Sequence, residues 1–229
     1  MSSVLMTVLL AAAPAPTLPA VAASLDDVAA AVREEARTGT LLFSRGDCLA
    51  VKVFGGGPYT HVAAVVVRDG EPFVYDSANG AGVRRLPLTS YIETQRPDAL
   101  TVMQPRQPFE GAREESFRRH LDEQLDRPYG VKHHLTGKRA EGIHCAEYVT
   151  DALCEARLVH AERPPRVSPA SLAEGILNGD VYAISTTFEV LPASEPVEEE
   201  GSWCGRTWSD TKTCTTRCCR QMSRWFLCR

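Results

Sequence analysis

The chain has 229 residues, 44% hydrophobic and 24% charged, with a formal net charge of -4, an ordinary soluble globular composition with no basic footprint for nucleic acid. That length supports one sizeable core, or one domain with a small appendage. No stretch reaches the roughly 18 apolar residues needed to span a membrane as a helix.

The first segment, residues 1–23, is apolar from Val4 to Ala13 and ends in the small residues Ala20-Val21-Ala22-Ala23. It reads as the core and cleavage site of a secretory signal, although no Lys or Arg precedes Arg33. A loosely packed N-terminal arm is the other reading. The cysteine-rich C-terminus favours an oxidising compartment, so a secreted or cell-envelope location is expected.

Ser24 then opens a helix, with Asp27 as the capping-box acid and Leu25, Val28, Ala29 and Val32 at helical spacing, ending near Thr38-Gly39. A strand is expected over Cys48 to Phe54, followed by a loop at Gly55 to Pro58. His61 to Val67 is almost wholly apolar and reads as a strand buried on both faces. Asp69-Gly70 signals a tight turn, and Pro72 to Asp76 returns as the antiparallel partner. Val83 to Leu88 and Leu100 to Met103 are further strands. Residues 112–125 read as a helix with Phe117, His120, Leu121 and Leu125 on one face.

Pro128 to Gly142 is a loop, and Cys145 to Leu158 a second strong helix. Ser168 caps a short helix that has Pro169 in its first position. Val181 to Val190 is the last strand. Helix, antiparallel strands, helices and strand make an α+β domain over residues 24–190 rather than an alternating parallel one. Residues 191–202 form an acidic linker. Residues 203–229 form a basic tail holding Cys204, Cys214, Cys218, Cys219 and Cys228, five of the eight cysteines. So short a segment suggests disulfides or a metal site; the absence of CxxC units disfavours zinc. Trp203, Trp208 and Trp225 among its bases would suit an anionic envelope polymer, or the tail is disulfide-stabilised decoration.

Cys145 falls at a helix start. A helix N-terminus stabilises a thiolate, and its free N–H groups can hold an oxyanion. A lone cysteine is more often buried packing, and Cys154 on the same helix is read that way. His61 begins the most apolar strand, where a ring needs a polar partner. It suits a catalytic base or a satisfied core histidine. Pairing about Asp69-Gly70 brings Asp76 near His61, where a carboxylate would orient the ring; the other reading is a loop-capping Asp. Glu147 sits in the first turn, favoured there by the helix dipole. His133, His134 and His144 match no zinc spacing and are expected as solvated loop residues, with His144 bordering the cleft.

Six segments together resemble a known family. Gly46-Asp47, Tyr59-Thr60-His61-Val62-Ala63, Val74-Tyr75-Asp76-Ser77, Pro128-Tyr129-Gly130, His144-Cys145-Ala146-Glu147-Tyr148-Val149 and Ser168-Pro169-Ala170-Ser171-Leu172 follow one another. In that order they resemble the circularly permuted papain-like cysteine hydrolases, the YiiX/YaeF-type branch of the NlpC-like superfamily. Asp76 stands where the family usually has Glu, Ala146 where it has Ser and Gly130 where it has Asp. The resemblance implies a permuted papain-like fold. It implies Cys145 as nucleophile, His61 as base and Asp76 as orienting acid, with Tyr129, Tyr59 and Glu147 lining the substrate or oxyanion site. No cofactor is implied. The implied substrates are cell-wall peptides or lipid-linked amides and esters. The alternatives are an acyltransferase of the lecithin retinol acyltransferase type, or a non-catalytic secreted binding module.

Overall fold

The computed structural model describes residues 20–46, 57–131, 134 and 136–191. These form a mixed α+β structure: a seven-stranded, mostly antiparallel sheet with five α-helices and one short 3-10 helix. The strands are β1 (Val21–Ala23), β2 (Leu41–Arg45), β3 (His61–Arg68), β4 (Glu71–Ala78), β5 (Gly82–Pro87), β6 (Ala99–Pro105) and β7 (Tyr182–Val190). The helices are α1 (Leu25–Glu35), α2 (Leu88–Gln95), α3 (Gly111–Glu123), α4 (Cys145–Glu155) and α5 (Pro169–Asn178), with a 3-10 turn at Pro164–Arg166. The sheet runs β1-β7-β6-β2-β3-β4-β5, and β1 is parallel to β7.

Strand alternation splits the core in two. Leu41, Phe43, Val62, Ala64, Val66 and Tyr75 face α3, α4 and α5. Leu42, Ala63, Val65 and Val74 face the other side, with Val28 and Val32 of α1 and Leu88, Tyr91 and Ile92 of α2. Because β2 and β3 are covered on both faces, their runs Leu41 to Phe43 and Val62 to Val67 are apolar without alternation. The β3–β4 hairpin turns at Asp69 and Gly70, both at positive φ (51° and 80°), the backbone that a tight two-residue turn demands. Ser24 and Asp27 close the capping box on α1, and Ser168 caps α5 ahead of Pro169, both as the sequence indicates.

Some expectations need correction. The second strand paired with β3, on the side away from β4, is Leu41–Arg45, a stretch to which the sequence assigns no element. The strand expected over Cys48 to Phe54 lies outside the described residues. Strand β4 runs to Ala78, so Asp76 is an interior strand residue and caps no loop. After β5 the chain enters α2, which the reading omits, although Leu88, Tyr91 and Ile92 carry helical spacing. Val21–Ala23, within the segment read as a cleavage site, form the edge strand β1. Among the described residues, Cys145 and Cys154 are free thiols. No described helix is long and apolar enough to cross a membrane. The five tail cysteines and residues 192–229 lie outside the described residues.

Candidate functional site

The site forms at the rim of the sheet, where β3 begins and the N-terminus of α4 arrives. Alternation puts His61 and Asp76 on the α2 face, with Ala63 and Val74. Cys145 belongs to the cluster on the opposite face. They meet because His61 is the first residue of β3, where its ring can reach past the end of the strand. The ring of Tyr91, on α2, stacks 6.4 Å from that of His61 at an interplanar angle of 28°.

The backbone leading into α4 is tightly held. Ile143 N donates to Pro128 O at 2.9 Å, Gly130 N donates to Ile143 O at 3.3 Å, and Ser77 Oγ donates to Ile143 O at 2.7 Å. A side chain at Gly142 would meet Gly130 N at 2.9 Å and Pro128 O at 3.0 Å, so this close approach needs glycine. Helix α4 is therefore anchored two residues before Cys145, and Tyr129 is brought alongside Ile143.

Cys145 is 5% exposed, and its ionisation is coupled to the imidazoles of His61 and His144. Burial on its own would raise the thiol pKa. The positive charge of His61 and the polar interactions of both imidazoles with the thiolate outweigh burial and bring it down to about 5. His61 is the reciprocal partner: burial opposes its protonation, but Cys145 and Asp76 carry its pKa up to about 10. The pair is coupled, so the two values describe one thiolate–imidazolium unit.

On the far side of the ring, His61 Nε2 lies 3.2 Å from Asp76 Oδ2. Asp76 is fully buried, and burial works against its ionisation. His61 and Arg84 prevail and hold it below the usual carboxylate range. Arg84 Nε donates to Oδ1 at 2.8 Å and Arg84 Nη2 to Oδ2 at 3.2 Å, while Gln95 Nε2 donates to Oδ2 at 3.1 Å. The sequence reading passes over Arg84 and Gln95. Arg84 looks like an exposed strand charge until register sets it opposite Asp76.

His144 is corrected: it is not a solvated loop residue but is buried as the N-cap of α4. Its Nδ1 accepts from Glu147 N at 3.3 Å, and its Nε2 donates to Pro165 O at 3.0 Å. Burial lowers its pKa, yet the neighbouring Cys145 thiolate turns the net shift upward. His134 packs edge-on to it, with ring centroids 5.5 Å apart. Because Asn also caps helices, His144→Asn is expected to leave the thermal midpoint nearly unchanged. His144→Ala is expected to remove about 1 kcal/mol of stability. Equal losses in the two melts would place the contribution in the Pro165 bond instead.

The remaining expected residues divide. Tyr129 is half-buried beside the site, its pKa raised by burial and by the charge of Cys145. Tyr59 packs on Phe43 with centroids 5.1 Å apart, and its hydroxyl turns to Thr101 Oγ1 at 3.5 Å rather than to the thiol. Glu147 is wholly buried, 3.7 Å from Arg139 and 3.9 Å from His144 Nε2, so it faces other protein groups and not an open cleft. Cys154 is half-buried, with its thiol pKa raised by burial, which fits packing.

No family model matches the chain, and no curated protein matches it in sequence. A solved structure does: that of metalloprotein yiiX from Escherichia coli O157:H7, DUF1105, with a TM-score of 0.53 and 14% identity. The match covers 68% of this chain and 98% of that chain. At that identity the likeness concerns the fold, and the fold of this chain is of the YiiX type.

Proposed function

We propose that the chain is a cysteine-dependent amide or ester hydrolase of the permuted papain-like type, with Cys145 as nucleophile, His61 as general base and acid, and Asp76 as the orienting carboxylate. The observation that carries this reading is the line of coupled groups from the Cys145 thiol, at the N-terminus of α4, through His61 to buried Asp76, whose carboxylate lies 3.2 Å from the ring. A merely packed cysteine needs no such line. The thiolate attacks the carbonyl carbon of the substrate. The oxyanion falls to the first-turn N–H groups of Cys145 and Ala146, which precede the first helical bond, Tyr148 N to His144 O. His61 gives its proton to the departing amine or alcohol as the C–N or C–O bond breaks. It then takes a proton from water, whose hydroxyl attacks the thioester and releases the acid. The free thiolate and the imidazolium return.

The yiiX protein is named a metalloprotein. In this chain the described residues do not fit a metal: no group of three or more His, Cys, Asp or Glu side chains is placed to hold one. Both Asp76 oxygens also accept from a guanidinium, which is a poor neighbour for a cation.

The test is an activity-based acyl probe followed by intact mass. One acyl group is expected, on the peptide holding Cys145, and none in Cys145→Ala. Release of that group to water marks a hydrolase, and release only to an added amine or alcohol marks an acyltransferase. A protein that binds the probe without any adduct would be a binding module and not an enzyme.

A further inference from the structure

Asp76 is the most heavily partnered carboxylate of the site. Groups from β3, β5 and α2 converge on it: His61, Arg84 and Gln95, all within 2.8 to 3.2 Å. Arg84 lies directly across the β4–β5 pair. Its Nε and Nη2 take one carboxylate oxygen each, the fork geometry that fixes a carboxylate plane. Its side chain is 22% exposed and that of Asp76 is 0% exposed. The guanidinium is thus a permanent cation at the mouth of a buried anion.

Two effects follow from general physics. A carboxylate on a strand side chain can turn about its last torsion, and a single contact to His61 would not stop it. Two parallel N–H bonds do, and Gln95 adds a third hold on the oxygen that faces His61. The guanidinium also offsets much of the Asp76 charge, which weakens the pull of that carboxylate on the His61 proton. An unopposed buried Asp would hold the imidazolium too firmly for His61 to release its proton to a leaving group.

We propose that Arg84 is a positioning residue of this site: it fixes the plane of Asp76 and, by sharing its charge, sets how readily His61 gives up its proton. The inference rests on the hydrolase reading for its catalytic meaning, but its physical content does not. The groups facing His61 are Cys145 from α4, Asp76 from β4 with Arg84 behind it from β5, and Tyr91 from α2.

The experiment removes the thiolate so that His61 titrates alone. In a Cys145→Ser background, the His61 imidazole is followed by NMR against pH, its signal assigned by its loss in His61→Gln. Adding Arg84→Met is expected to raise the His61 pKa by about one to two units, as loss of one charge several Å away at an effective dielectric of about 20 implies. Adding Arg84→Lys keeps the charge and should leave that pKa near the parent value. With Cys145 restored, Arg84→Lys should slow acylation by the probe about 10-fold, because a single ammonium cannot hold both oxygens. An unchanged or lowered His61 pKa in Arg84→Met overturns the proposal; should that variant not fold, wild-type acylation by Arg84→Lys does so. The titration needs no substrate. An adduct with an unshifted pKa sinks the clamp alone, and a shifted pKa with no adduct sinks the hydrolase reading alone.

Discussion

Alkylation of Cys145 by iodoacetamide is expected to switch on near pH 5, far below an ordinary thiol. The sign follows from the two coupled groups. Cys145 is pulled down to about 5 and His61 is pushed up to about 10. Below the first value the thiolate is protonated and labelling stops. Between them the ion pair persists and the rate is flat. Above the second the imidazolium is lost. Cys154 makes the internal control, since burial raises its pKa. At pH 6 an ordinary thiol, with a pKa of about 8.5, is roughly three parts in a thousand thiolate, whereas Cys145 is about nine-tenths ionised. A low-pKa thiolate is intrinsically a weaker nucleophile, with a Brønsted slope of about 0.4–0.5, which returns part of that gain. A net advantage of roughly 10-fold over Cys154 remains. His61→Ala should move the Cys145 limb back toward the alkaline range. A Cys145 limb above pH 8 in the wild-type protein would remove the ion pair from the account.

Loss of His61 or of the Asp76 charge is the second large effect. His61→Ala is expected to lower turnover of an acyl substrate by about 10²- to 10⁴-fold, the span that a positioned acid–base group contributes. Asp76→Asn should fall in the same range, because the imidazole loses both its tautomer preference and its counter-charge. Asp76→Asn should differ from His61→Ala in one measurable way. It strips Arg84 and Gln95 of a buried acceptor, so a stability loss of roughly 1–3 kcal/mol accompanies the kinetic one. Turnover must therefore be compared well below the thermal midpoint of each variant. Full turnover by folded Asp76→Asn would take Asp76 out of the mechanism and leave it a structural partner of Arg84.

Much of the site is legible in the sequence because its parts are local. The β3–β4 hairpin is written in an apolar run and an Asp-Gly turn, and α4 and α5 in helical spacing and a Ser-Pro cap. The α+β order and the approach of His61 to Asp76 follow from these. What escapes depends on register and partners distant in sequence. Arg84 and Gln95 carry no local sign that they share a carboxylate, since the first needs the β4–β5 register and the second the omitted helix α2. Strand β2 is only five residues long and ends in the polar pair Ser44-Arg45, so its apolar run is too short to mark it as a strand. His144 escapes for another reason. Histidine is not a preferred N-cap residue, so nothing in its identity announces that role.

Strand β1 lies parallel to β7, and Leu191 N donates to Ala23 O at 2.9 Å. The first and last described strands thus lie side by side at one sheet edge and run in the same direction. That edge is four strand spacings, roughly 19 Å, from β3 and His61. Val21 lies across from Phe188, so a linker that doubles back along β7 could join residues 191 and 21, with new termini opened at Asp69-Gly70 and every strand pairing left in place. The strand pairing is in this sense indifferent to where the chain is cut.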